Sequence, residues 1–222
     1  MNISNEYIAQ RRRVRQVALA ILERAKEANI PDKYSRINKD SFTQLLYPEF
    51  KNINLVADFV YNTPEKMLKK DFVVIDGGSE ENRLRVGFAI LFKLIISDKN
   101  GLYRDCGELW HKFQNINFNE GFNRNEIAED LKDYDVLFIG EFDRKVFNPH
   151  FESSSFFDEI LADRINNSRI TIVSLVNPIE DVTKTQEEKA ASGELVSSCG
   201  KYLTRLSTGK DSESIYRIRV KI

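Results

Sequence analysis

Eight residues carry the most recognisable chemistry: Gly77-Gly78-Ser79-Glu80-Glu81-Asn82-Arg83-Leu84. They lie between a short apolar run and a longer one. The pattern G-x-x-x-x-G-K-[ST] cradles phosphates in that setting, with backbone N–H groups and a lysine on the anion and a hydroxyl on Mg²⁺. Gly77 holds the first glycine position, with Gly78 and Ser79 after it. Asn82 stands at the second glycine, Arg83 at the lysine and Leu84 at the hydroxyl. Arg83 keeps positive charge for a phosphate, though not as a compact ammonium. Asn82 tolerates left-handed geometry at some cost. Leu84 has no oxygen for a metal, and Glu80 and Glu81 oppose an anion. The alternative is an ordinary strand-to-helix turn.

A second acidic strand end completes the chemistry of metal-assisted phosphoryl transfer. The run Val136-Leu137-Phe138-Ile139 ends in Gly140-Glu141. Glycine thus stands at the metal-binding position, and Glu141 keeps the following acid. Taken alone, Glu141 reads as a solvated carboxylate at a strand end. Two basic groups suggest contacts with a macromolecule. Arg11, Arg12, Arg13 and Arg15 crowd one helix. Arg217, Arg219 and Lys221 alternate with Ile218, Val220 and Ile222, so period two puts the three cations on one face. That stripe is either a charge-guarded edge strand or a surface for DNA or a neighbouring subunit. Other catalytic sets do not form. His111 and His150 are isolated, Cys106 and Cys199 have no zinc spacing, and no G-x-S-x-G elbow occurs. Asp158 and Glu159 read as a helix first turn.

The elements that would position these residues alternate between strand and helix. Apolar residues at helical spacing (Val14, Val17, Ala18, Ile21, Leu22, Ala25) predict a helix over about 7–28, ended by Asn29-Ile30-Pro31. A helix over 54–62 follows. Residues 72–75, 135–139 and 170–175 read as buried strands. Residues 102–103 begin another strand, and 215–220 form a terminal one. Helices are predicted over 84–96, 107–114, 125–132, 155–166 and 187–197. This order predicts an α/β fold with a parallel sheet sandwiched by helices. The expected domains are a helical extension over 1–50 and a core over 51–222.

Composition narrows the function. The 222 residues carry 33 Lys and Arg against 34 Asp and Glu, a net charge of −1, which excludes a globally basic nucleic-acid binder. There is no signal-peptide stretch and no run long enough to span a bilayer. A cytoplasmic protein without membrane contact is expected.

The order of these segments resembles the AAA+ core of the DnaC/DnaI/IstB group of helicase loaders. LKDYDVLFIGEFD (131–143), ILADRI (160–165), TIVSLVN (171–177) and ANIPDKY (28–34) stand where that family carries its corresponding motifs. The resemblance covers about residues 28–182. It implies a P-loop (AAA+-like) fold and a replication accessory protein that binds a replicative DNA helicase, as loader or regulator. Single-stranded DNA and a homo-oligomer are further implied partners. The loss of the lysine, the hydroxyl, the strand-end aspartate and the sensor asparagine (Val176, with Asn177 one place late) implies a degenerate copy. No ATP hydrolysis, no bound nucleotide and no metal are expected. Arg164 matches an inter-subunit arginine, or else favours the dipole at a helix C-terminus.

The arginine-rich helix stands where loaders carry their docking region. It is a packed helix, a partner-docking helix through a stripe that includes Ile21, or a phosphate contact. On the docking reading, removing residues 1–28 leaves the core folded. The rival readings of the whole chain are a working ATPase, with Arg83 on phosphate and Glu141 orienting water, and a structural subunit of a larger assembly.

Overall fold

The computed structural model describes residues 5–34, 72–114, 124–142, 152–192 and 215–220. Helix α1 (Asn5–Glu27) leads to a 3₁₀ turn at Asp32–Tyr34. There follow β1 (Phe72–Gly77), α2 (Glu80–Ile96), β2 (Gly101–Asp105), α3 (Cys106–Gln114) and α4 (Arg124–Asp133). Then come β3 (Val136–Phe142), α5 (Glu152–Asn166), β4 (Ile170–Leu175), α6 (Ile179–Ala191) and β5 (Ile215–Val220). The expected helix over 54–62 and the boundary at residue 50 lie outside the described residues.

The five strands form one parallel sheet in the order β2-β3-β4-β1-β5. The expected parallel α/β architecture is therefore present. Both faces of the sheet are covered, which is why its strands read as continuous apolar runs. Period two sends alternate residues to opposite layers. Phe72, Val74, Leu137, Ile139, Val173 and Leu175 join one core with residues of α3, α4, α5 and α6. Val73, Ile75, Val136, Phe138, Ile170 and Ile172 join the other with α2, Tyr34 and the end of α1. On that second side α2 presses close to the sheet. A Cβ at Gly87 would stand 2.1 Å from the Phe138 ring. Phe88 stacks on Tyr34 at 4.6 Å between ring centroids and meets the edge of Phe138 at 5.3 Å.

The connections set the site. The chain leaves β1 for the far edge strand β2, whereas it leaves β4 for β5 at the opposite edge. The carboxyl ends of β1, β3 and β4, three adjacent strands, therefore border the crevice where such sheets bind ligands. Two helices start four or more residues earlier than the sequence pattern suggests. α2 begins at Glu80 because Ser79 caps it. α6 begins at Ile179, eight residues before the expected 187, because the buried Asp76 carboxylate accepts the Ile179 N–H at 3.0 Å. Residues 193–197, the rest of that expected helix, lie outside the described set.

Candidate functional site

The loop after β1 turns on two left-handed glycines, Gly77 (φ 78°) and Gly78 (φ 57°). Gly77 also has a neighbour that excludes side chains: a Cβ there would lie 2.9 Å from the Val220 carbonyl oxygen. Ser79 then takes an extended conformation and its Oγ accepts the Asn82 N–H at 3.3 Å. This is an N-cap. Asn82 is consequently a residue of the first helical turn and not a left-handed glycine substitute in the loop. Glu80 and Glu81 complement the positive end of α2, where a phosphate would otherwise lie.

Arg83 decides the character of this loop. Although charged, it is 6% exposed. Its Nη1 donates to the carbonyls of Gly77 (3.1 Å) and Gly78 (2.8 Å). Its Nε and Nη2 donate to the two carboxylate oxygens of Glu141 at 3.0 and 2.5 Å. The pair is bidentate, the strongest arrangement for these groups. In this structure the guanidinium is engaged with Glu141 and the two glycine carbonyls.

Glu141 is held from the other side as well. It sits at φ 57°, where β3 shifts register against β4 between Ile139 and Phe142. A non-glycine residue there is uncommon and needs support from its surroundings. Ser174 of β4 supplies it. The Ser174 hydroxyl accepts the Glu141 N–H at 2.7 Å and donates to Glu141 Oε1 at 2.9 Å. The carboxylate expected at a solvated strand end is thus clamped between an arginine and a buried serine.

Gly140 and Leu84 answer each other. A Cβ built on Gly140 would come 2.8 Å from Tyr103 Oη and 3.1 Å from Leu84 Cδ2. The apolar Leu84 side chain and the Tyr103 ring occupy the space an aspartate would need. Burial, with Asp105 and Glu141 adding to it, pushes the Tyr103 hydroxyl above its ordinary pKa, so it stays neutral. Among the described residues no group of three or more His, Cys, Asp or Glu is placed to hold a metal.

Asp76, which the sequence reading did not single out, organises the neighbouring corner. It is fully buried at the end of β1. Arg217 donates to it at 2.5 Å and Arg219 at 3.3 Å, and both arginines also reach Glu180 of α6. The Arg217 hydrogen bond is the main reason that the Glu180 carboxyl is held down at about 2. Arg217 and Arg219 do share one face, as period two requires. That face is turned to two carboxylates, so the stripe is no open cationic surface. Lys221 lies outside the described residues.

Arg164 is at the other end of the sheet. It is fully buried. Its guanidinium donates to the carbonyls of Leu131 (3.0 Å), Tyr134 (2.8 Å) and Ile170 (2.6 Å), and its Nε donates to Thr171 Oγ1 (3.0 Å). Burial lowers its pKa to about 10, which leaves it charged at neutral pH. An arginine enclosed in this way has no surface from which to reach another subunit. The inter-subunit expectation is corrected: Arg164 staples the α4–β3 connection to the start of β4.

Helix α1 has two unlike halves. Every residue from 12 to 20 is exposed, whichever side of the helix it occupies. Arg12, Arg13 and Arg15 are exposed together with Val14, Val17 and Leu19, and Leu22 extends that exposure. Nothing is described of the Arg11 side chain, and Ile21 is half-buried. The last turn is different. Ala25, Ala28 and Ile30 are buried in the α2-side core. The Ala28 carbonyl accepts the Tyr103 N–H at 2.9 Å, and Arg24 pairs with Asp98 at 2.8 Å. Removal of residues 1–28 would therefore open the core, contrary to the expectation that it leaves the core intact.

No protein-family model and no curated protein matches the chain. Solved structures do. The five-stranded parallel α/β fold is similar to the folds of DnaI, the DnaC helicase loader and DnaA. The crystal structure of DnaI superposes with a TM-score of 0.55 at 17% identity, over 86% of this chain and 94% of that one. The crystal structure of the DnaC helicase loader gives 0.54 at 15% identity, over 86% of this chain and 100% of that one. AMPPCP-bound DnaA from Aquifex aeolicus gives 0.54 at 12% identity, over 85% of this chain and 50% of that one. No helix among the described residues is long and apolar enough to cross a membrane.

Proposed function

We propose that this chain is a loader-like accessory protein of DNA replication that binds a replicative helicase without hydrolysing ATP itself. The likeness to DnaI and to the DnaC helicase loader supports the role. The observation that carries the second half is the Arg83 guanidinium, seated on the Gly77 and Gly78 carbonyls and on Glu141. On this reading it engages the acid that a working ATPase would need to orient water. Leu84 and Gly140 leave the adjacent position without ligands for Mg²⁺.

The helicase contact belongs on the exposed half of α1. Val14, Val17 and Leu22 lie exposed along one side of the helix where no described residue covers them, and Arg13 and Arg15 border them. An amphipathic helix of this kind docks by its apolar anchors. The test compares the full chain with a variant lacking residues 1–20, which keeps the buried Ala25 and Ala28. Binding is measured to the purified replicative helicase of the organism that encodes the protein. Loss of binding with an unchanged melting temperature is the expected result. Undiminished binding would move the docking surface to the α/β core. If single-stranded DNA is the true partner of the arginines, affinity falls steeply with salt and tracks their number. Phosphate release above background in the full chain would refute the non-hydrolysing assignment.

A further inference from the structure

A phosphate cradle is a concavity of backbone donors. The loop of this protein has the opposite polarity. The carbonyl oxygens of Gly77 and Gly78 and both carboxylate oxygens of Glu141 converge on one point, and the point is occupied by the guanidinium of Arg83. Two of the nearby backbone donors are engaged within the turn: the Asn82 N–H on Ser79 Oγ, and the Arg83 N–H on the Ser79 carbonyl. The Ser174 hydroxyl fixes Glu141 in place from behind, both by accepting its N–H and by donating to its carboxylate. Glu80 and Glu81 add negative charge at the rim. A lining of acceptors around a planar slot suits a cation with several N–H donors in one plane, and it repels phosphate.

We propose that the nucleotide cradle of this fold is here a guanidinium-binding site, and that Arg83 is its tethered ligand. The site's occupant is covalently present at all times. It ties the end of β1 and the start of α2 to the ends of β3 and β4. The inference stands apart from the helicase partner and would hold if that partner were another protein.

Chemical rescue tests it. Arg83→Met keeps most of the apolar stem and removes the head. The variant should melt several degrees below wild type. Methylguanidinium at about 10 mM, a level comparable with a short tether's effective concentration, should restore part of that loss. Sodium at equal ionic strength should not, and wild type should gain nothing from methylguanidinium. Nucleotide (ATP, ADP or AMPPCP, with and without Mg²⁺) and inorganic phosphate should stabilise neither protein. Stabilisation of Arg83→Met by phosphate or nucleotide would overturn the proposal, because the loop would then be an anion site that Arg83 merely covers. No response to methylguanidinium would overturn it equally.

If Arg83→Met fails to fold, the wild-type protein supplies the answer. The Nε–H of Arg83 should give a resolved, slowly exchanging NMR signal at neutral pH. Millimolar Mg-ATP should leave that signal in place. Its displacement by ATP, or fast exchange of the proton in the free protein, would refute the tethered-ligand assignment.

Discussion

Removing the head of the buried Arg164 should cost more stability than any other single change to a polar residue of α5. The perturbation is Arg164→Met, which retains a stem of similar length and deletes the guanidinium. Four hydrogen bonds of 3.0 Å or less then disappear, to the Leu131, Tyr134 and Ile170 carbonyls and to Thr171 Oγ1. A hydrogen bond to a charged group contributes about 1.5–3 kcal/mol, and a buried acceptor left bare costs about 1–3 kcal/mol. These contributions do not add, because Arg164 itself carries a desolvation cost that the variant escapes. The loss of one partner from a buried charged network sets the scale at about 3–5 kcal/mol. In a chain of this size that lowers the melting temperature by roughly 6–20 °C. Urea titration followed by tryptophan fluorescence measures it, with an unchanged slope showing that the two end states stay comparable. Arg164→Lys, with three donors in place of five, should fall between wild type and Arg164→Met. A loss below about 1 kcal/mol for Arg164→Met would refute the reasoning, since exposed positions behave that way. A change in oligomeric state at wild-type stability would return the residue to an inter-subunit role.

Two further outcomes follow from the site. Restoring an acid by Gly140→Asp should destabilise the protein by about 1–3 kcal/mol through overpacking against Tyr103 and Leu84, and it should yield no phosphate release. Hydrolysis by that single variant would show that the packing yields to a metal. The Glu180 carboxyl lies at about 2 in the folded chain against an ordinary 4.5, chiefly through its hydrogen bond from Arg217. Its contribution is therefore complete above about pH 4.5 and is lost as pH falls toward 2. Glu180→Gln should flatten that acid limb in melting curves recorded across the window. The effect should be small, because the side chain is half-exposed. An unchanged acid limb would mean that Asp76 alone holds the two arginines.

β1, β3 and β4 were legible because each is buried on both faces, and uninterrupted apolar runs such as Phe72 to Ile75 follow directly from that. The loop at Gly77 was legible because two glycines between a strand and a helix mark a left-handed turn. The polarity of the loop was not. Arg83 and Glu141 are 58 residues apart, and nothing local says that they meet. Asp76 was missed for the same reason: its partner Arg217 lies 141 positions away. A lone acid at the end of an apolar strand resembles a turn residue until the strand beside it is known. Arg164 misled because an arginine in the last turn of a helix is ordinarily solvated. Its burial depends on the α4–β3 connection and the start of β4 meeting at one place. In α1 the stripe was visible, but small alanines at 25 and 28 carried the packing, and the larger Val14 and Val17 are the ones left outside.

The two halves of α1 make it a lever with a short fulcrum. The portion ahead of the last turns, residues 5–20, extends about 24 Å at 1.5 Å per residue. The fulcrum is the last turn, where Ala25 and Ala28 sit against α2 and the Ala28 carbonyl is bonded to the edge strand β2. A tilt of about 5° at that joint displaces the far end by about 2 Å over such a length. Small adjustments in the seating of α2 are thus magnified at the tip, and a load applied to the tip arrives at β2 and α2 with mechanical advantage.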